Sequence, residues 1–299
     1  MAYPEIKVLH NNPELTGMAQ MEPDIVYSHA LPEGLKLTLM LPWRDKNKAE
    51  HPARPLIVFV QGSGWTFPNV YKQIPQLSQY ARAGFAVATI THRNAAKGHP
   101  FPAYLEDTKT AIRFLRAHAK GYAIDPEHVC IYGTSSGGNT ALLVGLTGDD
   151  PRFKTDEYRE YSDKVQCVVE CFGPTDLIEM LPDQYLNMIH DPSYDNVPFI
   201  EPFRGLVGKN DVRQVLRDMS PVNYIDTCDK IPPTMIIHGD ADEIVPYEQG
   251  VLMYQKLCDA GAIVKMFCVK DAPHEGSFWS EQLHQYVQTF IGEYIRLEK

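Results

Sequence analysis

The segment Cys130-Ile131-Tyr132-Gly133-Thr134-Ser135-Ser136-Gly137-Gly138-Asn139 joins an apolar, strand-like run to small residues typical of a buried helix. Its centre has the pattern Gly-x-Ser-x-Gly, which predicts a sharp strand-to-helix turn with Ser135 at the bend. Such a turn exposes the serine hydroxyl beside main-chain N–H donors, as a serine nucleophile requires. Five residues alone are weak evidence. The interpretation therefore depends on a histidine, an acid and oxyanion donors elsewhere in the chain.

Strand-like and helix-like segments alternate around this turn from about residue 55 onward. Apolar runs at 56–60, 85–90, 128–132, 164–171, 234–238 and 262–269 predict strands, of which the first two have the composition of strands buried on both faces. Intervening segments predict helices near 69–83, 102–119, 136–146, 246–260 and 279–296. The alternation predicts the α/β class, with a doubly wound, mostly parallel sheet and helices on both faces. Residues 24–28 and 35–41 predict an antiparallel hairpin at one edge.

Residues 177–225 interrupt this alternation with a long connection that contains five prolines. A connection of this length inside a compact domain is usually functional. We interpret it as an inserted helical cap or lid over the site, and a plain surface excursion is the alternative. Because no linker or internal repeat is present, we expect residues 1–299 to form a single domain. The aromatic residues of the predicted cap are Tyr185, Tyr194, Phe199 and Phe203.

The composition is that of an ordinary globular protein, with 44% hydrophobic residues, 22% charged residues and a net charge of −10. This charge argues against nucleic-acid or anionic-membrane partners, which would repel the chain. The N-terminus lacks signal-peptide features, and the longest apolar run, 56–60, is far shorter than the roughly 20 residues that span a bilayer. We therefore expect a soluble cytoplasmic protein, and the sequence leaves open whether it forms a homo-oligomer.

The six cysteines are scattered and have no spacing typical of a metal site. Four of them lie inside apolar, strand-like runs, so we expect buried, reduced thiols and no disulfide framework. These four are Cys130, Cys167, Cys171 and Cys268.

A candidate acid and a candidate base follow Ser135 in loops after later strands. Asp242 lies in the loop after the strand that ends at His238-Gly239, and His274 lies between the last predicted strand and the last predicted helix. Loops at the carboxyl ends of parallel strands meet at one edge of the sheet, where ligands bind. We therefore predict Ser135 as nucleophile, Asp242 as orienting acid and His274 as base.

Each of these residues has an alternative. Ser135 also suits a helix N-cap. Asp240 and Asp176 also follow predicted strands, although Asp240, next to Gly239, is better placed to turn the loop through a side-chain to backbone bond. Ten of the 11 histidines compete with His274, but only His274 lies between the last core strand and the last helix.

The loop Gln61-Gly62-Ser63-Gly64-Trp65, which leaves the first central strand, is the predicted oxyanion site. Main-chain N–H groups of Ser63 and Gly64, together with that of Ser136, are the predicted donors. An ordinary glycine-rich turn is the alternative. With the three residues above, this loop predicts acyl transfer through an acyl-enzyme, which requires no metal and no organic cofactor.

These motifs resemble the esterase and lipase branch of the α/β-hydrolases related to hormone-sensitive lipase. The order serine, aspartate, histidine is also that of α/β-hydrolases. Within that branch, residues 22–295 are most similar to the BD-FAE-type carbohydrate esterases. The resemblance implies an α/β-hydrolase fold and a small-molecule or oligosaccharide substrate that carries acetyl or feruloyl esters. The motifs are Gly133–Asn139, His99-Pro-Phe-Pro-Ala-x-Leu-Glu-Asp107, Asp125-Pro126 and His238-Gly-Asp-Ala-Asp242-x-x-Val-Pro246.

Three positions depart from the family pattern. Gln61 replaces a histidine that braces the oxyanion loop, and Ser63 replaces a glycine, which keeps the N–H group but adds a side chain. Thr134 stands where aspartate is frequent, so one local charge is missing. None of these changes removes a predicted catalytic group, but they leave the substrate open.

Three functions fit the sequence. The first is a serine carboxylesterase that removes acyl groups, chiefly acetyl, from oligosaccharides. Trp65 and the cap aromatics are candidates for stacking on a sugar or cinnamoyl ring, with pocket packing as the alternative. The second is a peptidase or amidase, which the lack of a preceding gating domain disfavours. The third is a catalytically silent binding module, against which the intact set of residues argues.

Overall fold

A computed structural model describes residues 7–45, 51–194, 197 and 200–295 of the chain. The strands form one eight-stranded sheet in the order β1-β2-β4-β3-β5-β6-β7-β8. β1 and β2 pair in antiparallel fashion and β2 pairs antiparallel with β4, whereas all the remaining pairs are parallel. In chain order the strands are Ala19–Ser28, Leu35–Pro42, Arg54–Val60, Ala86–Ile90, Ile124–Thr134, Cys167–Cys171, Thr234–Gly239 and Val264–Val269.

Ten α-helices lie within the described residues, and the five predicted helices are among them. In chain order, α1 to α10 are Ile74–Arg82, Ala103–Ala117, Ala119–Tyr122, Ser136–Leu146, Leu177–Met180, Asp183–Met188, Glu201–Val207, Val212–Asp218, Tyr247–Asp259 and Glu281–Tyr294. The predicted α/β class, the mostly parallel sheet and the edge hairpin are confirmed.

The centre of the sheet is buried on both faces. The residues of β3, except its first, and all residues of β4 and β6 are buried, as expected for strands covered by helices on each side. All six cysteines are free thiols, and Cys130, Cys167 and Cys171 are buried as predicted. The prediction is wrong for Cys268, which is exposed because β8 lies at the edge of the sheet.

The described part of the segment 177–225 contains four short helices, α5 to α8, the 3₁₀ segment Pro192–Tyr194 and the start of the 3₁₀ segment Pro221–Thr227. This segment packs against the core through specific contacts. The Asn139 side-chain amide donates to the carbonyl of Met219 at 2.8 Å. The Phe203 ring lies 6.3 Å from that of Trp65, between ring centres. Phe199 of the predicted cap and residues 1–6 of the N-terminus lie outside the described residues.

Candidate active site

Ser135 lies at the turn between β5 and α4, in a backbone conformation that L-residues rarely adopt. Its φ is 54° and its ψ is −126°. The conformation is held from both sides, since the Ser135 N–H donates to the Cys171 carbonyl at 2.9 Å and the Asn139 N–H donates to the Ser135 carbonyl at 3.1 Å. Strained backbone of this kind is characteristic of functional sites. The turn lifts the Ser135 hydroxyl above the carboxyl end of the sheet.

The three residues predicted as nucleophile, acid and base meet in one chain of hydrogen bonds. The Nε2 atom of His274 lies 2.8 Å from the Ser135 hydroxyl oxygen. The Nδ1 atom of the same ring lies 2.7 Å from Oδ2 of Asp242. Asp242 follows β7, and His274 follows β8, so neighbouring strands bring these side chains to the elbow.

The charge on Asp242 fixes the arrangement of protons. Burial opposes ionisation of this carboxyl, but hydrogen bonds from His238, His274 and the main-chain N–H groups of Val245 and Ile244 outweigh it and hold its pKa far below the usual range. An ionised carboxylate can only accept hydrogen bonds, so Nδ1 of His274 carries the proton. In the neutral ring Nε2 is then an acceptor, ready for the Ser135 proton.

The competing aspartates have other partners. Asp240 accepts a hydrogen bond from the Asp271 N–H at 2.5 Å, which ties the loop after β7 to the loop after β8. Asp176 is the N-cap of α5 and accepts from the N–H groups of Ile178 and Glu179. Neither has a hydrogen bond to His274 among those found in the described residues, so of these three carboxylates only Asp242 is hydrogen-bonded to the ring.

The predicted oxyanion loop lies against the elbow. A Cβ atom on Gly62 would lie 2.6 Å from Cβ of Ser135, so only glycine fits there. The Gly62 N–H donates to the Thr134 hydroxyl at 2.9 Å, and the Ser63 N–H donates to the Ser136 hydroxyl at 2.9 Å. The predicted donors Ser63, Gly64 and Ser136 therefore belong to one small region, although the Ser63 N–H is engaged by Ser136 in this structure.

Trp65 lies in the core, with 4% of its surface exposed. Its ring packs against Tyr104 at 6.1 Å and Phe203 at 6.3 Å, between ring centres. The prediction that it stacks on a substrate does not fit this burial, because its faces are covered by the α2 side and the 177–225 segment. Gln61 is also buried, and its amide oxygen has no hydrogen-bond partner among the described residues.

A cavity of about 240 Å³ lies between α1 and the loop that carries His274. It reaches Glu275 and Gly276, which directly follow His274, and Lys72 forms an ion pair of 2.7 Å with Glu275 at its rim. The wall is largely aromatic and apolar, with three glutamine and histidine side chains. The remaining lining residues are Phe59, Gln73, Gln76, Leu77, Tyr132, Trp279 and His284.

Two further features concern metal ions and membranes, and both apply to the described residues. No group of three or more His, Cys, Asp and Glu side chains there has an arrangement that would hold a metal ion. None of the described helices combines the length and the apolar character needed to cross a membrane.

The sequence analysis missed three polar residues that contact the site. Thr134 braces the oxyanion loop through its hydroxyl. His238 lies 3.4 Å from Asp242, between Nε2 and Oδ2, and both side chains have no exposed surface. Glu170 is buried in β6, interacts electrostatically with His238, and has its Oε1 atom close to Gly138 of α4. The motif around His238 was visible in the sequence, but the pairing of β6 with β7 that brings Glu170 to it was not.

The proteins that this chain resembles agree with the geometry described above. The family model described as BD-FAE matches residues 43–257, which is more than half of the chain. The chain belongs to the BD-FAE family. As a BD-FAE member it has the expected fold, and the matched region contains Ser135 and Asp242, while His274 lies beyond its end.

Individual relatives of this BD-FAE chain include esterase LipC of Mycobacterium tuberculosis, 31% identical over 72% of this chain and 51% of LipC. The chain thus spans about half the length of the curated relatives it matches. Among solved structures, a truncated carbohydrate esterase from gut microbiota superposes with a TM-score of 0.74 at 27% identity, over 93% of this chain and 97% of that one. A Bacteroides eggerthii protein described as bifunctional GH43-CE gives a TM-score of 0.74 at 27% identity, over 92% and 38% respectively.

Proposed function

We propose that this protein is a serine carboxylic-ester hydrolase that removes small acyl groups, chiefly acetyl, from carbohydrates. The observation that carries the proposal is the continuous hydrogen-bond chain from Asp242 through His274 to Ser135. The names of its relatives, an esterase and a carbohydrate esterase, support the same reaction class.

In the proposed mechanism, Nε2 of His274 takes the Ser135 proton while Oγ attacks the ester carbonyl carbon. Asp242 holds the ring in the correct tautomer and stabilises the imidazolium that forms. The imidazolium then gives its proton to the departing alcohol, and an acyl-enzyme remains. Water, deprotonated by His274, attacks this ester, and collapse of the second tetrahedral intermediate releases the acid and restores Ser135.

The negative charge on each tetrahedral intermediate is proposed to lie against the loop 62–64 and the start of α4. Ser136 is the first residue of α4, so its N–H has no acceptor within the helix. An oxyanion is a stronger acceptor than a hydroxyl group. We therefore expect it to attract the Ser63 N–H that Ser136 Oγ engages in the free protein.

The preference for a small acyl group over a hydroxycinnamoyl group is a proposal that the substrate panel below tests. The cavity beside the His274 loop does not define the acyl pocket, because neither Ser135, His274 nor the loop 62–64 lines it. We further propose that residues 177–225 form one wall of the substrate site, because Phe203 packs on Trp65 immediately after the oxyanion loop.

A substrate panel tests the proposed function. We expect hydrolysis of 4-nitrophenyl acetate and release of acetate from acetylated xylo-oligosaccharides, with little ferulate from feruloylated arabinoxylan and no 4-nitroaniline from 4-nitroacetanilide. Faster cleavage of the anilide would instead favour an amidase. Binding of the oligosaccharides without turnover of any ester would identify a silent binding module.

Thr134 offers a test of the oxyanion loop. Thr134→Val keeps the shape of the side chain but removes the acceptor for the Gly62 N–H. A net hydrogen bond is worth about 1 kcal/mol, so we expect kcat for 4-nitrophenyl acetate to fall about fivefold, with KM little changed. Thr134→Ser retains the hydroxyl and is expected to keep near-normal kcat. Equal kcat in the valine and serine variants would contradict the bracing role.

A further inference from the structure

A buried imidazole lies behind the candidate acid. His238 is the fifth residue of β7, and its side chain, like that of Asp242, has no exposed surface. Its Nε2 lies 2.9 Å from the Val245 carbonyl oxygen and 3.4 Å from Oδ2 of Asp242. A carbonyl oxygen only accepts hydrogen bonds, so Nε2 carries a proton. That N–H group therefore lies between the carbonyl and the carboxylate that orients His274.

A second buried carboxyl group, that of Glu170, lies on the strand next to this imidazole. Glu170 of β6 pairs in register with Ile236, so Glu170 and His238 emerge on the same face of adjacent strands, two positions apart. One Glu170 oxygen accepts from the Gly173 N–H. The other, and Nδ1 of His238, are buried and have no hydrogen-bond partner among the described residues.

The absence of a side chain at Gly250 makes room for the His238 ring. A Cβ atom on Gly250 of α9 would lie 2.9 Å from Nδ1 of His238, so a larger residue there would collide with the imidazole. The edge-on Tyr247 ring lies 5.9 Å away, between ring centres. The ionisable groups that bear on His238 are thus Asp242 in the following loop, Glu170 on the neighbouring strand and Tyr247 at the start of α9.

Electrostatics favours a positive charge on this ring. Burial opposes protonation of His238, but Asp242, Glu170 and the Val245 carbonyl outweigh it and raise the pKa of the imidazole. Burial likewise raises the pKa of Glu170 to about 7, although His238 and the Gly173 N–H lower it in part. An isolated carboxylate is costly to bury, and a nearby imidazolium reduces that cost.

We propose that His238 is a positioning residue for the reaction, which acts through Asp242 and is supported by Glu170. Its N–H group stabilises the Asp242 carboxylate at Oδ2, the same oxygen that faces Nδ1 of His274. It therefore reduces the stabilisation of a protonated His274 by that carboxylate. The role rests on the proposed esterase mechanism and adds to it a second histidine, which touches neither substrate nor Ser135.

The test compares two substitutions of His238 by the pH dependence of kcat/KM for 4-nitrophenyl acetate. His238→Leu removes the donor, so the charge on Asp242 acts more strongly on the His274 imidazolium. The acidic limb of the profile should then move to higher pH by about one unit, and kcat at the plateau should fall roughly 10- to 100-fold with KM little changed. His238→Gln can keep an N–H near the same place and should retain the wild-type limb.

A purely structural role would lower the thermal midpoint without moving the limb, so unfolding is measured on the same samples. An unmoved limb in a folded His238→Leu protein, or equal shifts in the leucine and glutamine variants, would overturn the proposal. If His238→Leu does not fold, His238→Met is the second variant. It also lacks the N–H donor, so the limb should move in the same direction by a similar amount, and an unmoved limb there would also overturn the proposal. An inactive wild-type protein would contradict the esterase mechanism itself.

Discussion

Ser135→Ala is expected to lower kcat for 4-nitrophenyl acetate by roughly four to six orders of magnitude. The hydroxyl oxygen of Ser135 lies 2.8 Å from Nε2 of His274 and so joins the backbone elbow to the His274–Asp242 pair. Without it no acyl-enzyme forms, and only attack by water assisted by the oxyanion donors remains. The measurement is the steady-state rate of 4-nitrophenol release, with the substrate's spontaneous hydrolysis subtracted.

A matched control and a covalent probe make this test specific. Ser78→Ala changes a serine on α1 whose hydroxyl donates only to the Pro75 carbonyl, and it should leave the rate unchanged. A 4-nitrophenyl phosphonate ester should release 4-nitrophenol as Ser135 Oγ attacks phosphorus. It should leave its phosphonyl group on the peptide that contains Ser135 in the wild-type protein, and on no serine in Ser135→Ala. Wild-type turnover in Ser135→Ala would contradict the entire mechanism.

Sequence alone predicted the parts of the site that local motifs encode. The elbow at Ser135 and the strand-end loops with Asp242 and His274 have strong local signals, since each follows an apolar run and turn residues. The mostly parallel pairing of the strands follows from the alternation of strands and helices, because parallel strands need crossover connections. These features therefore required no knowledge of tertiary contacts.

The contacts between distant strands were not predictable in this way. The bracing of Gly62 by Thr134 joins residues 72 positions apart, and the approach of Glu170 to His238 depends on the register of two parallel strands. Burial was also misjudged where composition misleads. Trp65 follows a glycine-rich loop and yet lies in the core, whereas Cys268 lies in an apolar run on an exposed edge strand.

The structure explains one departure from the family pattern, at Thr134. Thr134, in place of the frequent aspartate, supplies a hydroxyl that accepts the Gly62 N–H without adding a charge beside the nucleophile. Ser136 likewise accepts the Ser63 N–H. Hydroxyl groups thus hold the N–H groups of Gly62 and Ser63 in the free protein, so we infer that this part of the oxyanion loop is ordered before a substrate arrives.

Asp242→Asn is expected to lower kcat by about 10⁴-fold with the fold intact. Asparagine can present its NH₂ group to Nδ1 of His274, which then accepts that hydrogen bond and leaves the proton on Nε2. With a proton on Nε2, the ring cannot take the Ser135 proton. Asp240→Asn is the matched control, because an amide oxygen still accepts from the Asp271 N–H, and its kcat should remain at the wild-type value.

Stability gives Asp242→Asn a second, independent readout. Because the pKa of Asp242 is lowered in the folded protein, its carboxylate stabilises the fold above the unfolded value of about 3.9 and loses that effect as the pH falls further. Asparagine has no such titration. The wild-type protein should therefore be more stable than Asp242→Asn in urea at pH 7, and the difference should shrink below about pH 4. A difference that is constant with pH would mean that the carboxylate is not held in its charged form, and the fixed tautomer of His274 would then lose its basis.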